Sequence, residues 1–275
     1  MNSIKQLIEI ALKEDIGSGD ITTDNLIDPN IEGRGTIIAK EPFIIAGLDV
    51  ANQVFQYLDL NIIYKPIYKD GDFIEKDNVM VKVEGKLRTL LLGERTALNF
   101  LQRLSGIATN VHSYVNELEN KNIRLVDTRK TTPAWRVLEK YAVRVGGAYN
   151  HRMGLFDGVL IKDNHIAVCG GISKAIKQVK NSVSHLIKIE VEVSDLSGAK
   201  EALKAGADVI MLDNMNLHQI KEAVNLIEGK AVVEVSGGFT KKDLALLADT
   251  GIDIISIGAL THSAKSVDIS MRICV

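Results

Sequence analysis

Apolar residues recur at helical spacing at the start of the chain, with Ile4, Leu7, Ile8, Ala11 and Leu12 on one face, so a helix is predicted there with Ser3 as its cap. EDIGSGDITTD then breaks the period with glycines and side-chain oxygens, which predicts an ordered loop whose acidic residues serve turns and not a site. From Gly33 to about Leu91 the pattern changes to β-rich runs (GTIIAK, FIIAG, NIIYKPIY, VMVKVEG) separated by turn signals such as Lys69-Asp70-Gly71-Asp72, with one helix from about Val50 to Leu58. These strands follow one another without intervening helices, so an α+β domain with an antiparallel sheet is expected. LLGERTALNFLQRLSGIATNVHSYVNELEN reads as two long helices meeting near Ser105 and Gly106, at the boundary between domains. Arg95 and Arg103 fall on the first of them and read as solvated or paired helix charges.

After Asn122 short β-branched strands alternate with helices: IRLVDT, FDGVLI, LIKIEVEV, DVIMLD, AVVEVSGG and IDIISIG, with helices predicted over 135–145, 172–179, 196–205, 217–227 and 242–248. Six strands fall short of the eight of a complete barrel. Polar residues gather at the C-terminal ends of these strands: Arg129 and Lys130, Lys162, Glu192, Asp213, Ser236 with Gly237 and Gly238, and Gly258. A barrel brings such ends to one mouth, whereas an open sheet spreads them along an edge, so a barrel is the expected architecture. The whole is read as an N-terminal α+β sandwich over 1–105, joined by the C-terminal segment 265–275, followed by an incomplete TIM-like α/β barrel over 106–264. SVDISMRI is expected to close as a helix or strand against the N-terminal domain.

Composition adds exclusions. The 275 residues are 46% hydrophobic and 25% charged, ordinary for a soluble globular chain. A net charge of −2 gives no general attraction to nucleic acid. Cys169 and Cys274 are too few for a disulfide framework or a thiolate metal site. Lys5, Glu9, Lys13 and Glu14 interrupt the opening helix, so it lacks the core of a signal peptide, and no run approaches the ~20 apolar residues of a membrane span. A cytoplasmic protein without membrane contact is expected.

Local charge is more informative. Residues 127–165 hold seven cationic side chains against four carboxylates, a surplus of +3. Arg136, Lys140 and Arg144 stand at i, i+4 and i+8 and read as one solvated helix face. Arg129-Lys130 and His151-Arg152 lie instead in segments rich in Thr, Gly and Asn beside apolar runs, where loops carry binding residues, so an anionic ligand is expected. Glu192 and Asp213 end consecutive strands and suit hydrated Mg²⁺ or ribose hydroxyls, with Glu190 on the same side but deeper. The glycines of SGG and SIGA would let backbone N–H groups approach a phosphate.

DTRKTTP, EKYAVRVGG, NHRMGL and DGVLIKDNH occur in one order within 127–165, and EDIGSGDITT precedes them. In these motifs the chain resembles the quinolinate phosphoribosyltransferases, also called nicotinate-nucleotide pyrophosphorylases (carboxylating). The resemblance runs from EDIGSGDITT to IGALTHS and implies an incomplete barrel behind an α/β sandwich. The reaction it implies joins quinolinate to 5-phosphoribosyl-1-pyrophosphate with Mg²⁺, releasing nicotinate mononucleotide, pyrophosphate and CO₂ in de novo NAD synthesis. By motif, Arg129, His151, Arg152 and Lys162 are implied to bind quinolinate. Lys130 is implied to contact the phosphoribosyl pyrophosphate, and Glu192 and Asp213 its ribose or metal. Ser236, Gly237, Gly238 and Gly258 are implied to hold the 5-phosphate, and Lys130, Lys162, Glu192 and Asp213 to form the catalytic set.

Arg95, in ERTALN, is implied to reach the quinolinate site of the partner subunit in a two-fold dimer. Ala134-Trp135 and Gly147-Ala148 depart from the family pattern, which commonly has Gly at the first position and a third Gly at the second. Two rivals remain at this point: a nicotinate-specific or molybdenum-operon relative on the same architecture, and a catalytically silent binding protein. The first would need fewer cations than this chain keeps, and the second would be expected to lack Lys130, Glu192 or Asp213.

Overall fold

The computed structural model describes residues 2–118 and 122–274, the side chains of residues 2 and 3 excepted, so the expected cap at Ser3 lies outside the described residues. In chain order the first elements are α1 (Asn2–Ile16), α2 (Ile21–Leu26), β1 (Glu32–Ala39), β2 (Phe43–Ile44), α3 (Leu48–Leu58), β3 (Ile63–Pro66), β4 (Phe73–Ile74), β5 (Val79–Lys86) and α4 (Leu87–Val115). There follow β6 (Arg124–Val126), α5 (Arg136–Val145), β7 (Val159–Ile161), α6 (Asp163–Cys169), α7 (Ile172–Lys180), β8 (Ile189–Val193), α8 (Leu196–Ala205), β9 (Val209–Asp213) and α9 (Leu217–Ile227). The last are β10 (Val232–Ser236), α10 (Lys241–Ala248), β11 (Ile254–Ser256), α11 (Ala259–His262) and β12 (Ile269–Cys274). No helix among the described residues is long and apolar enough to cross a membrane.

The chain divides into two compact units. The first comprises Met1–His112, Thr131–Gly147 and Leu260–Val275. Its sheet is antiparallel, in the order β12-β1-β5-β3, with Ile37 opposite Val81 on one side and Met271 on the other. SVDISMRI thus contributes a strand. Ile37, Val81 and Val83 are fully buried, as are Ile8 of α1 and Val54 and Phe55 of α3. These apolar faces supply the main drive for folding the unit. The turn predicted at Lys69-Asp70-Gly71-Asp72 does more than reverse the chain: Asp70 accepts from the N–H groups of Gly47 (2.8 Å) and Leu48 (3.1 Å), capping α3, and from the Tyr141 hydroxyl at 2.5 Å.

Three expectations are corrected in this unit. The loop EDIGSGDITTD ends in a short helix, because the Asp20 carboxylate accepts from the N–H groups of Thr22 and Thr23, both at 3.0 Å. The two helices expected to meet at Ser105-Gly106 are one helix of 29 residues. Gly106 does not interrupt it; a Cβ there would stand 2.0 Å from the Lys265 carbonyl oxygen, so the glycine is required by the close passage of the chain at 265–266. Lys140, read as part of a solvated face, is fully buried on α5, while Arg144 is exposed. Spacing at i+4 puts residues on one face but does not say whether that face meets solvent, and here the middle member, Lys140, packs inside beside buried Glu139.

Beside Lys140, Glu139 is also fully buried. Its Oε1 accepts from Arg103 Nη2 (2.8 Å) and the Thr132 hydroxyl (2.8 Å), and its Oε2 from the Thr132 N–H (3.2 Å). Arg103 Nη1 also donates to the Ala264 carbonyl at 2.7 Å, so this one arginine ties α4 to α5 and to the C-terminal segment. Ala134 adopts φ 65°, a left-handed conformation at the position where the resembling family commonly has glycine.

The second unit comprises Ser113–Lys130 and Ala148–Ala259. It carries six parallel strands in the order β6-β11-β10-β9-β8-β7, in a TIM-like arrangement, with Tyr149 bridged in parallel to Val126 beyond β6. All six are the runs predicted from β-branched patterning. Val191, Ile210, Leu212, Val235 and Ile255 are fully buried. α6 was not foreseen, since DNHIAVC is too short to show a helical period. It is nucleated at its start, where the Lys162 N–H donates to His165 Nδ1 at 3.0 Å.

Gly106→Ala separates helix propensity from packing. Propensity alone predicts a gain of about 1 kcal/mol, whereas the clash with Lys265 predicts a net loss of about 1–3 kcal/mol through overpacking. A lowered midpoint in denaturant titration is expected; a raised one would show that the 265–266 segment does not pass where it is placed.

Candidate active site

In a parallel sheet, residues in register present their side chains to the same face. Glu192 pairs with Met211 and Met211 with Glu234, while Asp213 pairs with Ser236 and Ser236 with Ser256. Glu190, Glu192, Asp213, Glu234 and Ser236 therefore share one face, with Glu192, Asp213 and Ser236 at the C-terminal ends of β8, β9 and β10 and Glu190 and Glu234 farther back along their strands. Lys162, directly after β7, joins them: Leu160 pairs with Glu190, and the Lys162 ammonium is in contact with the Glu192 carboxylate. The expected residues Lys162 and Glu192 are thus brought together, and Asp213 and Ser236 lie side by side.

The loop between α5 and β7 is held by Asp127. Its side chain is fully buried at the end of β6 and accepts from Asn150 Nδ2 (2.6 Å) and the His151 N–H (2.9 Å). Asp157 fastens the far side of the loop, accepting from the N–H groups of Met153 (2.7 Å) and Gly154 (2.8 Å). Between these anchors Arg152 is half-buried and donates from Nη1 to the Gly158 carbonyl at 3.0 Å. Burial and then the nearby charge of Arg129 lower the Arg152 pKa, with Glu190 and Asp157 acting the other way. A half-buried guanidinium with a second cation close enough to disfavour its charge suits an anionic ligand. Arg129 and Lys130 are exposed at the end of β6.

Beneath the loop half-buried His151 meets buried Glu190 and Glu234, and their donor atoms lie within 4.8 Å of one another. His151 Nε2 is 3.1 Å from Glu190 Oε2 and 3.6 Å from Glu234 Oε1, and its Nδ1 accepts from the Arg152 N–H at 2.8 Å. The Glu234 pKa is pushed up to about 7, first by burial, then by the charge of Glu190, with His151 opposing. Glu190 lies deeper than Glu192, as the strand pattern indicated. Glu234 was missed by sequence reasoning, although a signal existed: a carboxylate in AVVEVSGG, a strand expected to be buried on both faces, has no route to water and requires a local partner.

The segments after β9 and β10 meet. The Asn214 N–H donates to the Ser236 carbonyl (3.0 Å) and its side chain to Asp213 Oδ2 (2.8 Å). Gly237 has φ 150°, and a Cβ there would stand 3.0 Å from Asn214 Oδ1. Only glycine lets these segments approach so closely. Gly238 follows with open space about its Cα, and Gly258 lies two residues beyond β11. Arg95 stands exposed on α4 in the first unit. Among the described residues the set of three close metal-type donors is His151, Glu190 and Glu234, and it includes neither Glu192 nor Asp213.

The comparisons with known proteins agree along the chain. The family model for the quinolinate phosphoribosyl transferase N-terminal domain matches residues 20–105, and that for the C-terminal domain matches residues 107–272. A Bacillus subtilis protein named probable nicotinate-nucleotide pyrophosphorylase (carboxylating) is 44% identical over 98% of this chain and 93% of its own. A Nicotiana tabacum protein named quinolinate phosphoribosyltransferase (decarboxylating) 1b is 38% identical over 98% of this chain and 82% of its own. The crystal structure of NadC from Streptococcus pyogenes superposes with a TM-score of 0.95 at 43% identity, covering 98% of this chain and 96% of that one. Together these place the chain in the quinolinate phosphoribosyltransferase family.

Proposed function

We propose that this chain transfers the phosphoribosyl group of 5-phosphoribosyl-1-pyrophosphate to quinolinate with loss of CO₂, forming nicotinate mononucleotide and pyrophosphate for NAD synthesis. Family membership supports the reaction. The observation that carries the substrate is the juxtaposition of Arg152 with Arg129: next to burial, the charge of Arg129 is what lowers the affinity of Arg152 for its proton, so two cations from the segments after β6 and after α5 stand close together. Quinolinate has adjacent carboxylates and matches a cluster of guanidinium groups better than any monoanion does.

In this reading Arg129, Arg152 and Lys162 bind the dicarboxylate, and Lys130 meets the pyrophosphate. Ser236, Gly237, Gly238 and Gly258 hold the 5-phosphate through backbone N–H groups. Glu192 and Asp213 face the ribose, where a carboxylate near the anomeric carbon stabilises the positive charge that grows as pyrophosphate departs. The contact with Lys162 holds that Glu192 carboxylate in place. The pyridine nitrogen then attacks. Once alkylated, the ring nitrogen is positive and stabilises the carbanion left by the departing CO₂, so the ring itself serves as the electron sink.

Mg²⁺ would enter with the pyrophosphate and neutralise part of its charge. Glu192 and Asp213 fit an ion that keeps most of its waters, since each carboxylate is held by a neighbour through one oxygen and the pair is not part of a closed donor cage. Arg95 is proposed to serve the site of a second copy of the chain in a two-fold dimer. Work in the cytoplasm suits the two cysteines, both free in the fold.

Two measurements test this. Purified protein with phosphoribosyl pyrophosphate and Mg²⁺ should turn over quinolinate with a kcat/KM at least roughly tenfold above that for nicotinate, because losing one charge-assisted contact costs about 1.5–3 kcal/mol. Equal use of the two acids would overturn the dicarboxylate assignment. Shared sites predict complementation: Arg95→Ala and Arg152→Ala should each be nearly inactive, yet random reassembly makes about half the dimers mixed, each with one intact site, so roughly a quarter of wild-type activity should return. No recovery despite confirmed subunit exchange would place Arg95 in its own subunit's site or in none.

A further inference from the structure

His151 is implied by resemblance to bind quinolinate, yet both of its ring nitrogens already have partners within the protein. Nδ1 accepts from the Arg152 N–H at 2.8 Å, and Nε2 faces Glu190 Oε2 at 3.1 Å and Glu234 Oε1 at 3.6 Å. A nitrogen that accepts carries a lone pair, so the ring proton is on Nε2, where it is donated to Glu190 Oε2, with Glu234 Oε1 beyond hydrogen-bond distance. The side chains of Glu190 and Glu234 are 9% and 2% exposed, so the donating edge of the ring points into the interior. The same tautomer disposes of the alternative that these three residues bind a divalent cation. With the proton on Nε2, the ring has no lone pair there to give to a metal.

We infer that His151 is a positioning residue: a strut that transmits the fixed position of the Glu190–Glu234 pair to the backbone of Arg152, and through it to the guanidinium that meets the substrate. Its neighbours support that geometry. Asp127 holds the His151 N–H at 2.9 Å, and the Gly158 carbonyl holds Arg152 Nη1 at 3.0 Å, so the strut is fixed at one end while the guanidinium is aimed at the other. Interactions supporting a binding residue in this way commonly govern how tightly it binds, because orientation lost in the free protein must be regained in the complex.

The inference rests on the quinolinate reading for its functional part but not for its structural part, and the experiment separates the two. With histidine labelled by ¹⁵N and the His151 signal assigned by its loss in His151→Asn, the ring shifts should report the Nε2–H neutral tautomer at neutral pH, unchanged when quinolinate saturates the protein. An imidazolium, or a proton on Nδ1, in the free or the bound protein would overturn the strut. In kinetics, His151→Ala should raise the quinolinate KM roughly tenfold and leave the phosphoribosyl pyrophosphate KM unaltered. His151→Asn, whose Oδ1 stands where Nδ1 stood and accepts from the Arg152 N–H, should recover most of that loss; failure of Asn to do better than Ala would also overturn it. If the wild-type protein does not bind quinolinate at all, the substrate reading fails, while the tautomer in the free protein still decides the role of the ring.

Discussion

Asp127, Glu139, Glu190 and Glu234 are held out of water, and an ionised carboxylate so placed costs several kcal/mol unless donors replace its hydration. The donors recruited are the groups whose positions matter most. Asp127 takes the side chain of Asn150 and the backbone of His151; Glu139 takes Arg103 and Thr132; Glu190 takes the ring of His151, with Glu234 close beside it. The cationic loops are therefore not loosely draped over their scaffold. Each is fastened at its root by a buried carboxylate.

This arrangement explains which parts of the protein were legible in its sequence. Strands such as DVIMLD and AVVEVSGG announce themselves because a strand covered on both faces must be apolar almost throughout, and all six were read from that run of β-branched residues. The strand-end positions of Lys162, Glu192 and Asp213 followed from the same pattern. What could not be read were features set by contacts distant in the chain. Gly106 looks like a helix break but answers to Lys265, and Lys140 looks solvated by spacing but is buried. Arg103 looks like an ordinary helix charge, yet its partner Glu139 lies 36 residues away. Local pattern reports periodicity; it does not report which neighbour arrives from elsewhere.

The site also illustrates how a binding surface departs from the arrangement that would be best for the empty protein. Arg129 and Arg152 repel, and Glu234 is driven towards its neutral form by burial beside Glu190. Like charges brought together at a strand mouth cost the free protein stability.

The first unit is assembled from three separate stretches of chain, and its sheet is completed by β12 lying along β1. During synthesis Glu32–Ala39 emerges more than two hundred residues before its partner Ile269–Cys274. For most of that interval β1 presents one row of unpaired backbone groups, the type of edge that invites pairing with other chains. The beginning of this protein is consequently the last part to be finished, and its safe passage off the ribosome depends on how long that edge can be kept from the wrong neighbour.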